Sequence, residues 1–370
     1  MRIGILGTRG IPNAYGGFEQ FAEYLALGLT GKGHSVYVYN SSLHPYQENK
    51  WNNIHIIHCK DLENRIGTAG QFFYDLNCIK DARRRKFDIL LQLGYTSNSI
   101  WHRLWPKDCI NIVNMDGLEW KRSKYSSRAQ QFLKLAERWA ATNGKILIAD
   151  SVGIQQYLLK TYQRQSFYIP YGANVYNTSP DTDMLLEWNI KSGEYYLLMA
   201  RMEPENNIEM VIRGYLASHA PFPLLLIGNY SNKFGAMLHK KYSNPQVRFL
   251  GGIYDQEKVN RLRYFSALYF HGHSVGGTNP SLIEAMGCGC HIAAHNNIFN
   301  KAILGDDAFY FSGEDQVTEI LKRQTDNGLI EYWKNKNVEK VKRKYNWENI
   351  IQQYEDVFVN ALNEQQHATT

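Results

Sequence analysis

A chain of 370 residues is longer than one hydrophobic core comfortably fills, so two domains are the starting expectation. Hydrophobic residues make up 44% of it, with only 10 prolines and 29 glycines, which excludes a disordered or low-complexity chain. The net charge of +6 favours an anionic partner without choosing among phosphate, nucleic acid and lipid headgroup.

In chain order, short apolar runs predict strands at 3–6, 36–39, 54–58, 89–93, 110–113 and 146–149, with helices beginning near Phe18, Ala69, Ser126 and Val152. This alternation is the rhythm of a parallel sheet covered on both faces. Periodicity fades over 174–193, a polar stretch read as a linker. The rhythm then resumes with strands at 195–200, 224–227, 247–250, 267–270, 292–294 and 309–311, and a closing helix at 347–362. The expected fold class is α/β. Rossmann-like doubly wound domains span 1–173 and 194–346, their strand carboxyl ends face a shared cleft, and 347–370 packs back on the first domain.

The opening run is too short for a signal peptide, no segment approaches about 18 consecutive apolar residues, and five scattered cysteines suit a reducing compartment. A cytoplasmic location follows as an expectation, with any membrane contact peripheral. The basic clusters at 83–86 and 121–128 read either as solvated helix faces or as a patch for an anionic membrane surface. They lack interleaved aromatics or a nucleic-acid motif, so nucleic acid is disfavoured.

Three segments handle phosphate in principle. The first strand runs into a loop with Gly7, Gly10, Gly16 and Gly17 before a helix near Phe18, which suits either a close approach to an anion or a tight structural turn. The glycine spacing is not that of a dinucleotide fingerprint, and Asn40 stands where an acidic residue would end the second strand. Arg201 follows the first strand of the second half, where it can clamp a diphosphate or serve as a surface ion-pair partner. The densest cluster is His271-Gly-His273-Ser-Val-Gly276-Gly277-Thr278-Asn279-Pro280-Ser281, with Glu284 one turn on. A glycine turn at a helix mouth offers N–H donors to phosphate, and Glu284 can accept from ribose hydroxyls. The single D-x-D, Asp181 and Asp183, lies in the linker without an apolar strand before it, so no metal site and no cofactor are expected.

With these segments, and with 114–122 (Asn-Met-Asp-Gly-Leu-Glu-Trp-Lys-Arg) and Ile169-Pro-Tyr-Gly172, nearly the whole chain resembles the GT4-like retaining glycosyltransferases of GT-B fold. It is most similar to their rhamnosyltransferase-type subgroup of bacterial surface-polysaccharide synthesis. The resemblance implies a hexosyltransferase that moves a sugar, with retention and without metal, from a nucleotide-diphosphate donor to a saccharide acceptor. It suggests dTDP-rhamnose as donor and a lipid-linked acceptor. It puts Asp116, Arg201 and His273 at the reacting centre, and Gly16, Gly17, Arg201, Asn206, His271, Gly276, Gly277, Thr278, Asn279 and Glu284 on the donor. Tyr15, Glu19, Asp116 and Glu119 fall to the acceptor; Asp116 also reads as a turn former before Gly117. Two positions depart from the broad family: Gly276 replaces a glutamate and Asn206 a lysine, and His271 or His273 would compensate. UDP- and GDP-sugar donors, a nucleotide-sugar epimerase and an inactive sugar-nucleotide-binding module fit the same residues.

Overall fold

The computed structural model describes residues 1–14, 16–122, 125–177 and 181–369. The chain divides into two compact units, the first of Met1–Lys121, Tyr125–Tyr171 and Trp347–Thr370, the second of Gly172–Asn346 with a short segment beginning at Arg122.

The first unit holds β1 (Arg2–Leu6), β2 (Ser35–Ser41), β3 (Lys50–Trp51), β4 (Ile54–Cys59), β5 (Ile89–Leu93), β6 (Ile110–Asn114), β7 (Ile146–Ala149) and β8 (Phe167–Tyr168). Their order across the sheet is β3-β4-β2-β1-β5-β6-β7-β8, parallel throughout except for β3 against β4. β5 and β6 are buried along their whole length, which is why their sequences are continuous apolar runs broken only by amides. The second unit holds β9 (Tyr196–Met199), β10 (Leu224–Ile227), β11 (Val247–Gly251), β12 (Leu268–His271), β13 (Ile292–His295) and β14 (Phe309–Phe311). They form an all-parallel sheet in the order β11-β10-β9-β12-β13-β14. The strand order reverses between β9 and β12, and a crevice for ligand opens outside the carboxyl ends of strands at such a reversal.

The expected strands are present with ends shifted by one or two residues. β3 and β8 were not expected, and at two residues each they carry no periodic signal. Residues expected as a linker group with the second unit. Tyr176 N–H donates to Gly287 O at 3.0 Å, and the turn Asp183–Trp188 buries Leu185. In the D-x-D, Asp181 accepts from Asp183 N–H and pairs with Arg261, each at 3.0 Å.

The helix Trp347–Thr369 packs within the first unit, where Trp347 stacks on Tyr24 at 4.4 Å and Asn114 Nδ2 donates to Tyr354 Oη at 2.9 Å. Among the described residues no helix is long and apolar enough to cross a membrane.

Candidate functional site

In the second unit the loops leaving β9 and β12 are knitted to each other. Gly272 is required, because a Cβ there would lie 2.1 Å from Asn206 O. That close approach lets Asn207, held at φ 50°, donate through Nδ2 to Gly272 O at 2.8 Å. Ser274 adds bonds from Oγ (2.8 Å) and N–H (3.1 Å) to Glu205 O. Asn206 spends its amide internally, donating to Arg201 O at 2.7 Å, and is buried. It therefore shapes the turn from which the exposed Arg201 projects, and its amide does not stand in for a lysine's charge.

His271 is fully buried and stacks against His273 with ring centroids 4.4 Å apart. Neither ring nitrogen of His271 has a hydrogen-bond partner among the described residues. Burial, then the neighbouring His273 and Arg263, hold His271 well below the ordinary imidazole range. Burial followed by Arg201 pushes His273 down to about 3. Both rings are neutral at physiological pH. With no surface of its own, His271 underlies His273 and does not contact a ligand directly.

The helix Pro280–Gly287 begins where the glycine turn ends. Asn279 caps it, accepting Ser281 N–H on Oδ1 at 3.0 Å, while its carbonyl accepts Leu282 N–H at 3.0 Å. Pro280 has no N–H. The first-turn donors expected to face phosphate are thus already engaged in the cap. Gly276 sits at φ 133° with open space where a Cβ would be, so the missing carboxylate leaves room rather than a clash. Glu284, expected to meet ribose, pairs with Arg263, Nη2 to Oε2 at 2.6 Å. Sequence reasoning passed over both Asn207 and Arg263. The signal for Arg263 was its spacing, since Val259, Leu262 and Arg263 form the buried face of the helix Gln256–Tyr264.

In the first unit, the loop after β1 is fixed from below. Asn40 accepts Ile11 N–H at 3.0 Å and donates to Ile11 O at 2.7 Å, mimicking a strand partner. Glu19 is buried and accepts Arg9 N–H at 2.9 Å, so it locks the loop. Gly16 precedes the helix Gly17–Gly31 as its cap. Tyr15 lies outside the described residues. After β6, Asp116 takes the left-handed conformation (φ 45°), with its N–H donating to Asn114 Oδ1 at 3.1 Å. Glu119 is half-buried in the turn Glu119–Lys121, and its N–H donates to Tyr95 Oη at 3.2 Å. Burial, then Asp116, Asp150, Tyr354 and Glu19, raise the Tyr171 phenol well above its usual value. Sequence reasoning missed Asp75, whose carboxyl burial pushes up to about 7 against the opposing effect of Ser97, which donates to it at 2.6 Å.

Two doubly wound sheets and a long closing helix find full-length counterparts among solved structures. Sucrose-phosphate synthase from Thermosynechococcus elongatus superposes with a TM-score of 0.81 at 18% identity, covering 100% of both chains. Anabaena HepE, solved in complex with UDP and glucose, gives 0.75 at 16% identity, covering 97% of this chain and 100% of that one. The chain has the GT-B glycosyltransferase fold. A family model described as a domain of unknown function, DUF1972, matches residues 1–174. An uncharacterized glycosyltransferase of Methanocaldococcus jannaschii is 24% identical over 196 residues, about half of either protein at 49%.

Proposed function

We propose that this protein is a glycosyltransferase that takes a sugar from a nucleotide-diphosphate donor held at the carboxyl ends of β9 and β12. The observation that carries the reading is the knitted pair of loops at that strand reversal. It sets the Arg201 cation, the Gly276, Gly277 and Thr278 turn and the neutral His273 ring at one place in the second unit. Arg201 offsets charge on the leaving diphosphate, turn N–H groups bind its oxygens, and His273 faces the sugar as an uncharged hydrogen-bonding group. Glu284 meets the ribose. The M. jannaschii relative is named a glycosyltransferase and HepE binds UDP and glucose, which supports the donor class.

At finer grain, the proposed donor is dTDP-rhamnose, transferred with retention and without metal. The acceptor is a lipid-linked saccharide handled by the first unit through Tyr15, Glu19, Asp116 and Glu119. Exposed Arg83 and Arg84 support contact with an anionic membrane, which sedimentation with anionic vesicles checks: binding that ignores a rise from about 50 to about 500 mM salt removes that support.

The deciding experiment is calorimetric titration of dTDP-, UDP- and GDP-sugars into wild type and Arg201→Ala. One donor is expected to bind, and to lose about 10- to 100-fold in affinity when the charge-assisted contact is removed. No binding, or equal binding to the variant, sinks the reading. The donor that binds is then assayed for transfer in excess EDTA, where loss of turnover with rescue by a divalent cation overturns the metal-free mechanism.

A further inference from the structure

Resting on that donor-site reading, we propose that Arg263 is a positioning residue that cancels the charge of Glu284, so that a ribose-binding carboxylate and an anionic diphosphate occupy one pocket without repelling each other. Arg263 is fully buried, with 0% of its surface exposed, so it reaches no ligand itself. Its Nη2 lies 2.6 Å from Glu284 Oε2 and 3.2 Å from Ser281 Oγ, and Nη1 donates to Asn260 Oδ1 at 3.2 Å. Ser281 Oγ shares a 2.7 Å hydrogen bond with Tyr269 Oη. Glu284 is thus oriented by a chain running from the helix Gln256–Tyr264 to β12.

A buried cation is costly unless paired. Burial alone pulls the Arg263 guanidinium downward, and the Glu284 carboxylate, first among the opposing effects, turns the net shift upward. Its other near neighbours, Tyr269, Cys288 and Cys290, have their own protons held on chiefly by burial, so they add no charge. The pair sums to zero, so the Glu284 carboxylate does not offset the positive charge that Arg201 offers to the diphosphate. Without Arg263, Glu284 would set a full negative charge in a poorly solvated site beside an anion, where screening is weak.

The test compares calorimetric affinities of uridine with UDP, and of thymidine with dTDP, and reads the ratio of nucleoside Kd to diphosphate Kd. Loss of fold weakens both ligands alike and cancels in the ratio, whereas an electrostatic role moves only the diphosphate. Arg263→Met should lower the ratio about tenfold, Glu284→Gln should raise it several-fold, and the double variant should return to within about threefold of wild type. Arg263→Lys, which keeps the charge, should hold the wild-type ratio. If Arg263→Met shows no cooperative unfolding transition, Glu284→Gln and Arg263→Lys decide. A ratio unchanged in Glu284→Gln, or lowered in Arg263→Lys as far as a neutral substitution would lower it, overturns the proposal. Failure of the donor site itself appears separately, as wild type binding neither diphosphate, and takes the proposal down with it.

Discussion

His271 and His273 are imidazoles placed where they cannot easily take up a proton, and this has a signed consequence for stability. The folded-state values lie below the unfolded value near 6.5. Between about pH 6.5 and the folded values, the unfolded chain binds protons that the folded chain refuses. The stability they contribute is therefore complete above about pH 6.5 and is lost as pH falls. Asp75 acts in the opposite sense. Its raised carboxyl stabilises the fold at low pH and loses that contribution as pH rises toward 7. The useful quantity is a difference between two proteins in which Asp75 cancels. His271→Leu should gain on wild type by about 1–2 kcal/mol between pH 7 and pH 5, measured by urea unfolding. A difference independent of pH would mean that His271 takes up its proton as readily in the folded protein as in the unfolded chain.

At the scale of an element, the loop after β1 depends on Asn40, which looked in the sequence like a missing acidic residue. The side chain is fully buried and satisfies both backbone groups of Ile11. Gly10 exists to admit it, since a Cβ there would lie 2.3 Å from Asn40 Cγ. Asn40→Ala leaves a buried donor and acceptor without partners and should cost about 2–4 kcal/mol by urea unfolding, whereas a surface loop held only by its ends would lose less than about 0.5 kcal/mol. The strands of both sheets were legible because double-sided burial writes them as apolar runs, as in Leu224–Ile227. The positions of Arg201 and of the glycine turn were legible because strand ends and glycines mark them. What the sequence could not display was where polar side chains spend their hydrogen bonds. Asn206 and Glu19 turned inward to backbone, Asn279 consumed the helix-mouth donors, and Glu284 met Arg263, each through contacts that depend on tertiary approach rather than spacing.

At the scale of the molecule, the first unit is discontinuous and is completed only by the last helix in the chain. Gly28 in the helix Gly17–Gly31 faces Ile351 so closely that an added Cβ would lie 2.3 Å from Cδ1 and 2.9 Å from both Cγ1 and Cγ2. Cδ1 can swing aside, but the Cγ atoms sit next to the backbone and force the helices apart. Gly28→Ala brings two opposed effects, a helix-propensity gain of about 1 kcal/mol and an overpacking cost of about 1–3 kcal/mol. Overpacking should win, lowering the unfolding temperature of the first unit by a few degrees. Ile351→Ala added to Gly28→Ala removes the clash, so its cost should be smaller than the cost of Ile351→Ala alone, a coupling that calorimetric unfolding of the four proteins measures. Nucleotide affinity is the control, because the proposed donor residues all belong to the second unit. If Gly28→Ala changes UDP or dTDP binding as much as it changes unfolding, the donor site depends on the first unit and cannot be assigned to the β9 and β12 loops by themselves.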